Sequence, residues 1–316
     1  SPLQTLNDKL EIFENGKSIY SKDISLKPMQ LFTDSIKIVA DKNKLRLIIG
    51  VDKLIWDSAP DEGDLDRPME TPKNLDNNTV YGLYLQGKNY ISFKDYTKAE
   101  EKLKTCLVKD PNYSPALCDM AGLQIRQFKY AEALANANRA LSINTYDPAA
   151  NYYYALVNLK LGNITNAKDG FDIAASGVEY RSASYTELAK IYFLNKEENK
   201  AMEYAQKSLL NNQYNIESLQ LLAVIYRIQK ETAKAIALLN RIKTIDPLNH
   251  FPDFEKYYSD NTVDSKEKFT SQIQNEMPVQ TYLELGIWYY ELNCKAEALA
   301  VFSSAPSDPE IIYWKA

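Results

Sequence analysis

The sequence predicts a mainly α chain: a solenoid of stacked helix pairs behind a small N-terminal antiparallel β-sheet. Ala99, Ala133, Ala167, Ala201 and Ala235 lie 34 residues apart, and a second small residue precedes each by twelve: Gly87, Ala121, Ala155, Ala189 and Ala223. A period in this range is the signature of helix pairs stacked along a solenoid. Near the start, Asn15-Gly16 separates two alternating segments within "KLEIFENGKSIYSKDISL", which is a two-residue hairpin signal.

The small residues have a steric reason. Where two helices of a pair cross closely, only a hydrogen or a methyl fits between the backbones, and larger side chains fill the surrounding space. Tyr90, Tyr192 and Tyr226 form a third column, three residues after the first small one. In the copy that begins at Val80, "LYLQGKNY", "AEEKL" and "DP" resemble the tetratricopeptide repeat, with its W-x2-L-G-x2-Y, A-x3-F and closing Pro. The resemblance spans five uninterrupted copies over residues 80–249 and implies a right-handed α-α superhelix, the tetratricopeptide solenoid. The first-column aromatic is replaced at Leu83, Leu117, Asn151 and Leu219, and the closing proline is kept only at Pro111 and Pro247. These departures bear on local turns.

Residues 250–278 read as a shortened, degenerate helix pair with a polar turn around Ser259 to Ser265. Gly286 and Ala298 restore the spacing of twelve, so residues 279–316 read as a final repeat followed by the start of a truncated helix. In "DPEIIYWKA" a proline stands where a first helical turn accepts one. Solenoids normally close on a polar cap, whereas this segment carries Ile311, Ile312, Tyr313 and Trp314. The chain therefore reads as a fragment of a longer protein.

Residues 1–57 read as a small β-sheet or the remnant of a β-sandwich, with strands expected at about Gln30 to Ala40 and Lys44 to Trp56 after the hairpin. Residues 58–79 have the composition of an acidic, proline-containing linker. Asp61, Asp64 and Asp66 offer calcium-type oxygen ligands but without the glycine and terminal glutamate spacing of a twelve-residue calcium loop. Local ion pairing by Asp64, Asp66 and Arg67 is the preferred reading.

Taken together, "GDLDRP", "VYGLYLQGK", "DPAANYYYALVNLKLGN", "LQLLAVIYR", "DPLNHF" and "MPVQTYLELGIWYY" resemble a family of large bacterial proteins. In that family a mutarotase-like β region and a β-sandwich precede a tetratricopeptide array. The resemblance carries over no activity; its association with sugars is one of fold alone.

The chemistry argues against catalysis. A net charge of -5 disfavours a general nucleic-acid binder, because phosphate contacts need a concentrated basic surface. No apolar run approaches the length of a membrane helix. One histidine, His250, stands alone in an irregular turn, and no nucleophile elbow, phosphate loop or multi-histidine metal pattern occurs. No cofactor and no metal is expected. The three cysteines make no disulfide framework; Cys106 shares a packing column with Ala140, Ala174 and Ser208, Cys118 is placed towards the groove, and Cys294 in a turn.

The tetratricopeptide resemblance implies that the first helix of each pair lines an inner wall through its second, fifth, ninth, twelfth and thirteenth positions. The resulting groove is expected at Tyr81, Tyr84, Lys88, Ile91, Arg126, Tyr152, Lys160, Lys190, Phe193 and Arg227, with Cys118, Thr186, Glu217 and Val224 among the other wall positions. Each copy contributes one cation to this set. Aromatic and aliphatic anchors beside the cations fit a peptide or partner domain, with an acidic partner favoured. A chaperone-tail clamp would need Lys and Asn where Tyr84 and Lys88 stand. The expected function is a non-catalytic protein–protein interaction scaffold binding a protein, a peptide or another domain of the same chain. The alternative is an accessory arm of a carbohydrate-binding or carbohydrate-active protein whose β domain lies upstream. The compartment is left open, with the cytoplasm preferred.

Overall fold

The computed structural model describes residues 2, 5–37, 39–41, 43–51, 53–58, 76–274 and 277–316. The chain divides into two compact units, one comprising residues 1–69 and 240–316, the other residues 70–239. The acidic linker, with its calcium and ion-pair readings, lies outside the described residues up to position 75.

In the first unit, β1 (Leu6–Glu14), β2 (Lys17–Leu26), β3 (Leu45–Ile49) and β4 (Leu54–Asp57) form an antiparallel sheet in the order β2-β1-β3-β4. The hairpin forms where the sequence places it: Asn15 and Gly16 take φ of 51° and 79°, the two positive values a tight primed turn requires. The strand expected over Gln30 to Ala40 is absent among the described residues of that stretch. Both edges of β1 are already paired, and the segment instead lays Phe32 and Ile36 onto the cluster of Leu10, Ile12, Ile24 and Leu26. Lys22 and Asp34, 2.7 Å apart, fasten it to β2. The single strand expected over Lys44 to Trp56 is two, because Gly50, at φ 56°, reverses the chain.

In the second unit the expected helix pairs form. They are α1 (Val80–Ser92) with α2 (Tyr96–Lys109), α3 (Ser114–Arg126) with α4 (Tyr130–Ile143), and α5 (Pro148–Lys160) with α6 (Ile164–Ala174). Then come α7 (Val178–Leu194) with α8 (Glu198–Asn211), and α9 (Ile216–Ile228), while α10 (Thr232–Ile245) begins in this unit and runs past its boundary at residue 239. The small columns are fully enclosed: Ala99, Ala121, Ala133, Ala155, Ala167, Ala189, Ala201 and Ala223 have no exposed surface. A Cβ on Gly87 would stand 2.8 Å from the side chain of Leu103, so α1 and α2 pack at this distance only with glycine there. Leu103 is itself fully buried, which contributes about 2 kcal/mol.

Each pair turns through the same device. Lys94, Phe128, Gly162, Lys196 and Lys230 all have φ near +60° to +79°, and they too are 34 residues apart. The next residue closes a six-to-one bond back onto the helix: Asp95 N to Tyr90 O at 3.0 Å, Lys129 to Gln124 at 2.9 Å, Asn163 to Asn158 at 2.8 Å, Glu197 to Tyr192 at 2.9 Å and Glu231 to Tyr226 at 2.8 Å. This is a Schellman ending, usually built on glycine. Only Gly162 provides one here.

First helices touch the first helix of the next pair, from α1 to α9, while α2, α4, α6 and α8 are each wedged against the first helix that follows. The first helices therefore form one continuous layer. Between the fourth and fifth pairs the packing is polar: Asn215 Nδ2 donates to Ser182, Thr186 and Ser208 at 3.0–3.1 Å, and Thr186 meets Ser218 at 2.8 Å.

The first unit also holds α11 (Phe251–Asp260), α12 (Val263–Gln272), α13 (Pro278–Glu291), α14 (Lys295–Ser304) and α15 (Pro309–Lys315). The degenerate pair is joined more tightly than its sequence suggests. Instead of a turn over Ser259 to Ser265, Asn261 adopts φ 49° and Thr262 caps α12 in a capping box with Ser265. Phe251, Phe254, Phe269 and Tyr289 are fully buried, and the Tyr289 hydroxyl donates to Glu255 Oε1 at 2.6 Å. Of the C-terminal apolar run, Ile311 is buried and Trp314 packs on Phe302 and Tyr290, while Ile312 and Tyr313 are exposed. Among the described residues no helix is long and apolar enough to cross a membrane, and no group of three or more His, Cys, Asp or Glu could hold a metal.

Candidate functional site

The layer of first helices in the second unit brings tyrosines and charges together in two neighbouring clusters. In the first, Lys88 donates to the Tyr84 hydroxyl at 3.2 Å and lies 5.6 Å from the centre of its ring. Asp119 of α3 stands close enough for both groups to act on its carboxyl. One oxygen of that carboxylate, Oδ2, is covered and has no hydrogen-bond partner. Burial pushes the Asp119 carboxyl above its ordinary range, while Lys88 and Tyr84 pull it down.

Tyrosines wall this group. Tyr113 meets Tyr84 edge-on at 5.4 Å; Tyr180 meets Tyr152 at 5.1 Å and Tyr153 at 6.5 Å. Tyr153 fits against α3 because Gly122 offers no side chain, and a Cβ there would stand 2.8 Å from its ring. Burial, with Asp119 among the charges adding to it, raises Tyr153 above the ordinary phenol range and Tyr180 to about 12.

The second cluster is closed. Lys190 lies 2.9 Å from Glu187 and also pairs with Glu217, with Lys190 and Glu187 both largely buried. Burial disfavours the Lys190 charge, but the two carboxylates outweigh it and hold its pKa above the ordinary lysine value.

The expected groove residues divide accordingly. Tyr84, Lys88, Tyr152 and Lys190 belong to these clusters, and Lys160 contributes to the field at Glu187. Tyr81 is exposed, and the guanidinium of Arg126 lies 5.7 Å from the Tyr96 ring. Ile91 packs on the core around Leu83 and Leu103. Phe193 and Arg227 are half-buried on α7 and α9. Three other wall positions are corrected: Cys118, Thr186 and Val224 are buried. Cys118 also has the opposite of a reactive thiol's environment, burial raising its pKa to about 12.

Sequence reasoning missed Asp119, Tyr153, Tyr180 and Glu187. A signal was present for three of them. Asp119, Tyr153 and Glu187 are 34 residues apart and occupy the sixth position of copies two to four, one residue beyond the buried Cys118 and Thr186.

No protein-family model and no curated protein matches the chain. Solved structures do. A tetratricopeptide repeat protein from Parabacteroides merdae aligns with a TM-score of 0.52 at 17% identity, covering 75% of this chain and 97% of that one. PilF of Pseudomonas aeruginosa aligns at 0.55 with 16% identity, covering 65% and 96%. PilW, a type IV pilus biogenesis factor, aligns at 0.56 with 16% identity, covering 65% and 98%. At these identities the likeness is one of fold, and the fold is the tetratricopeptide solenoid.

Proposed function

We propose that the protein is a non-catalytic interaction scaffold that holds a peptide or an extended segment of a partner along its first-helix layer. The observation that supports this reading is the convergence of Tyr84, Asp119, Tyr153 and Tyr180 from α1, α3, α5 and α7 on one wall. Aromatic rings with a few convergent polar groups are the composition of an interface centre. The single histidine, His250, belongs to the first unit and is not among these residues.

The test is selection of a random peptide display library on the 316-residue chain, followed by hydrogen–deuterium exchange with the recovered peptides. Slowed exchange in α1, α3, α5 and α7 is the expected result. Protection confined to the second helices or the sheet, or failure to recover any specific peptide, would overturn the reading.

A further inference from the structure

Resting on the scaffold reading, we infer that the cluster around Asp119 recognises a basic side chain, arginine or lysine, of the bound segment. This reverses the preference that one lysine or arginine per copy suggests from sequence. The reversal comes from what three of the five wall cations already hold. Lys190 is held between Glu187 and Glu217, and Arg126 lies over Tyr96. Lys88 spends its reach on the hydroxyl and ring of Tyr84.

What remains short of a partner is an acceptor. Asp119 keeps part of its surface exposed, yet Oδ2 has no donor. A carboxylate oxygen in that state gains most from a charged donor. The surrounding rings offer the second half of cation recognition, because their faces attract guanidinium and ammonium groups. A basic side chain entering beside Tyr84 would donate to Asp119 and lie against Tyr153 and Tyr180. Lys88, exposed and on the same carboxylate's field, acts as a competing internal cation that the incoming one displaces.

The two residues therefore make opposite predictions for a basic ligand. The experiment measures affinities of the display-selected peptides for the wild-type chain and for the Asp119→Asn and Lys88→Met variants, each first checked for unchanged helicity. Peptides that share an arginine or lysine, bind Asp119→Asn about tenfold more weakly and bind Lys88→Met at least as tightly as wild type support the inference. Peptides that protect the first helices but lack a basic residue, or bind Asp119→Asn unchanged, overturn it while leaving the scaffold reading standing. Acidic peptides weakened by Lys88→Met overturn it in favour of an acidic partner. Absence of any peptide that protects the first helices overturns both.

Discussion

Lys88 and Lys190 stand on neighbouring stretches of one wall in opposite circumstances. Lys190 is largely buried between Glu187 and Glu217, so its charge is matched twice over. Lys88 is exposed, meets a neutral phenol, and leaves the nearby Asp119 carboxylate with an oxygen unpartnered. The same residue type is thus a structural tie in one repeat and a displaceable neighbour in another. What distinguishes them is the sixth position of the repeat and its surroundings, not the cation.

Removing each lysine in turn has the largest expected effect. Lys190→Met leaves two carboxylates facing each other with one buried, and is expected to lower unfolding stability by about 2–3 kcal/mol. Lys88→Met is expected to change it by less than about 0.5 kcal/mol. Urea unfolding of the two variants measures both; equal losses would erase the distinction.

A pH series sharpens the same contrast. The folded pKa of Asp119 lies above its unfolded value of 3.8, so the folded state binds the proton more tightly. Stability is therefore lost as pH rises from the unfolded value through the folded one. Asp119→Asn removes that loss, and its stability relative to wild type should improve as pH rises above about 4. A relative stability that stays flat or declines over this range would contradict the unpartnered state of Asp119.

The smallest effects concern the turns that set the spacing of both clusters. Gly162, at φ 79°, is the one glycine among five left-handed turn residues in the second unit, and Gly162→Ala should cost about 1 kcal/mol. Phe128, at φ 60° and exposed, should tolerate Phe128→Gly with a gain of about 0.5 kcal/mol, as strain is relieved against added chain entropy. Thermal unfolding of the two variants in parallel checks the signs.

Much of the solenoid was legible because close helix crossings force small residues into columns, and columns survive in a single sequence. The left-handed turns share that period but were invisible, since Lys94, Phe128, Lys196 and Lys230 carry no local signature of positive φ. In the sheet, Phe32 and Ile36 alternate like a strand, yet their burial is met by covering the face and not by pairing an edge. At the candidate site, Tyr84, Lys88, Tyr152 and Lys190 stand at positions that the tetratricopeptide resemblance implies for an inner wall, and the structure gathers them in the two clusters. Asp119 was missed because its 34-residue column runs Asp119, Tyr153, Glu187, with no residue type in common, and only the fold brings Tyr84, Tyr153 and Tyr180 towards it.

The most direct measurement is a titration of the chain, carbon-13 labelled at its tyrosine rings, with Nα-acetyl-arginine amide, followed by NMR in wild type, Asp119→Asn and Glu217→Gln. Saturable shifts at Tyr84, Tyr153 and Tyr180 are expected in wild type and Glu217→Gln, and their loss in Asp119→Asn. Equal shifts in all three chains, or a response that disappears only in Glu217→Gln, would contradict recognition by Asp119.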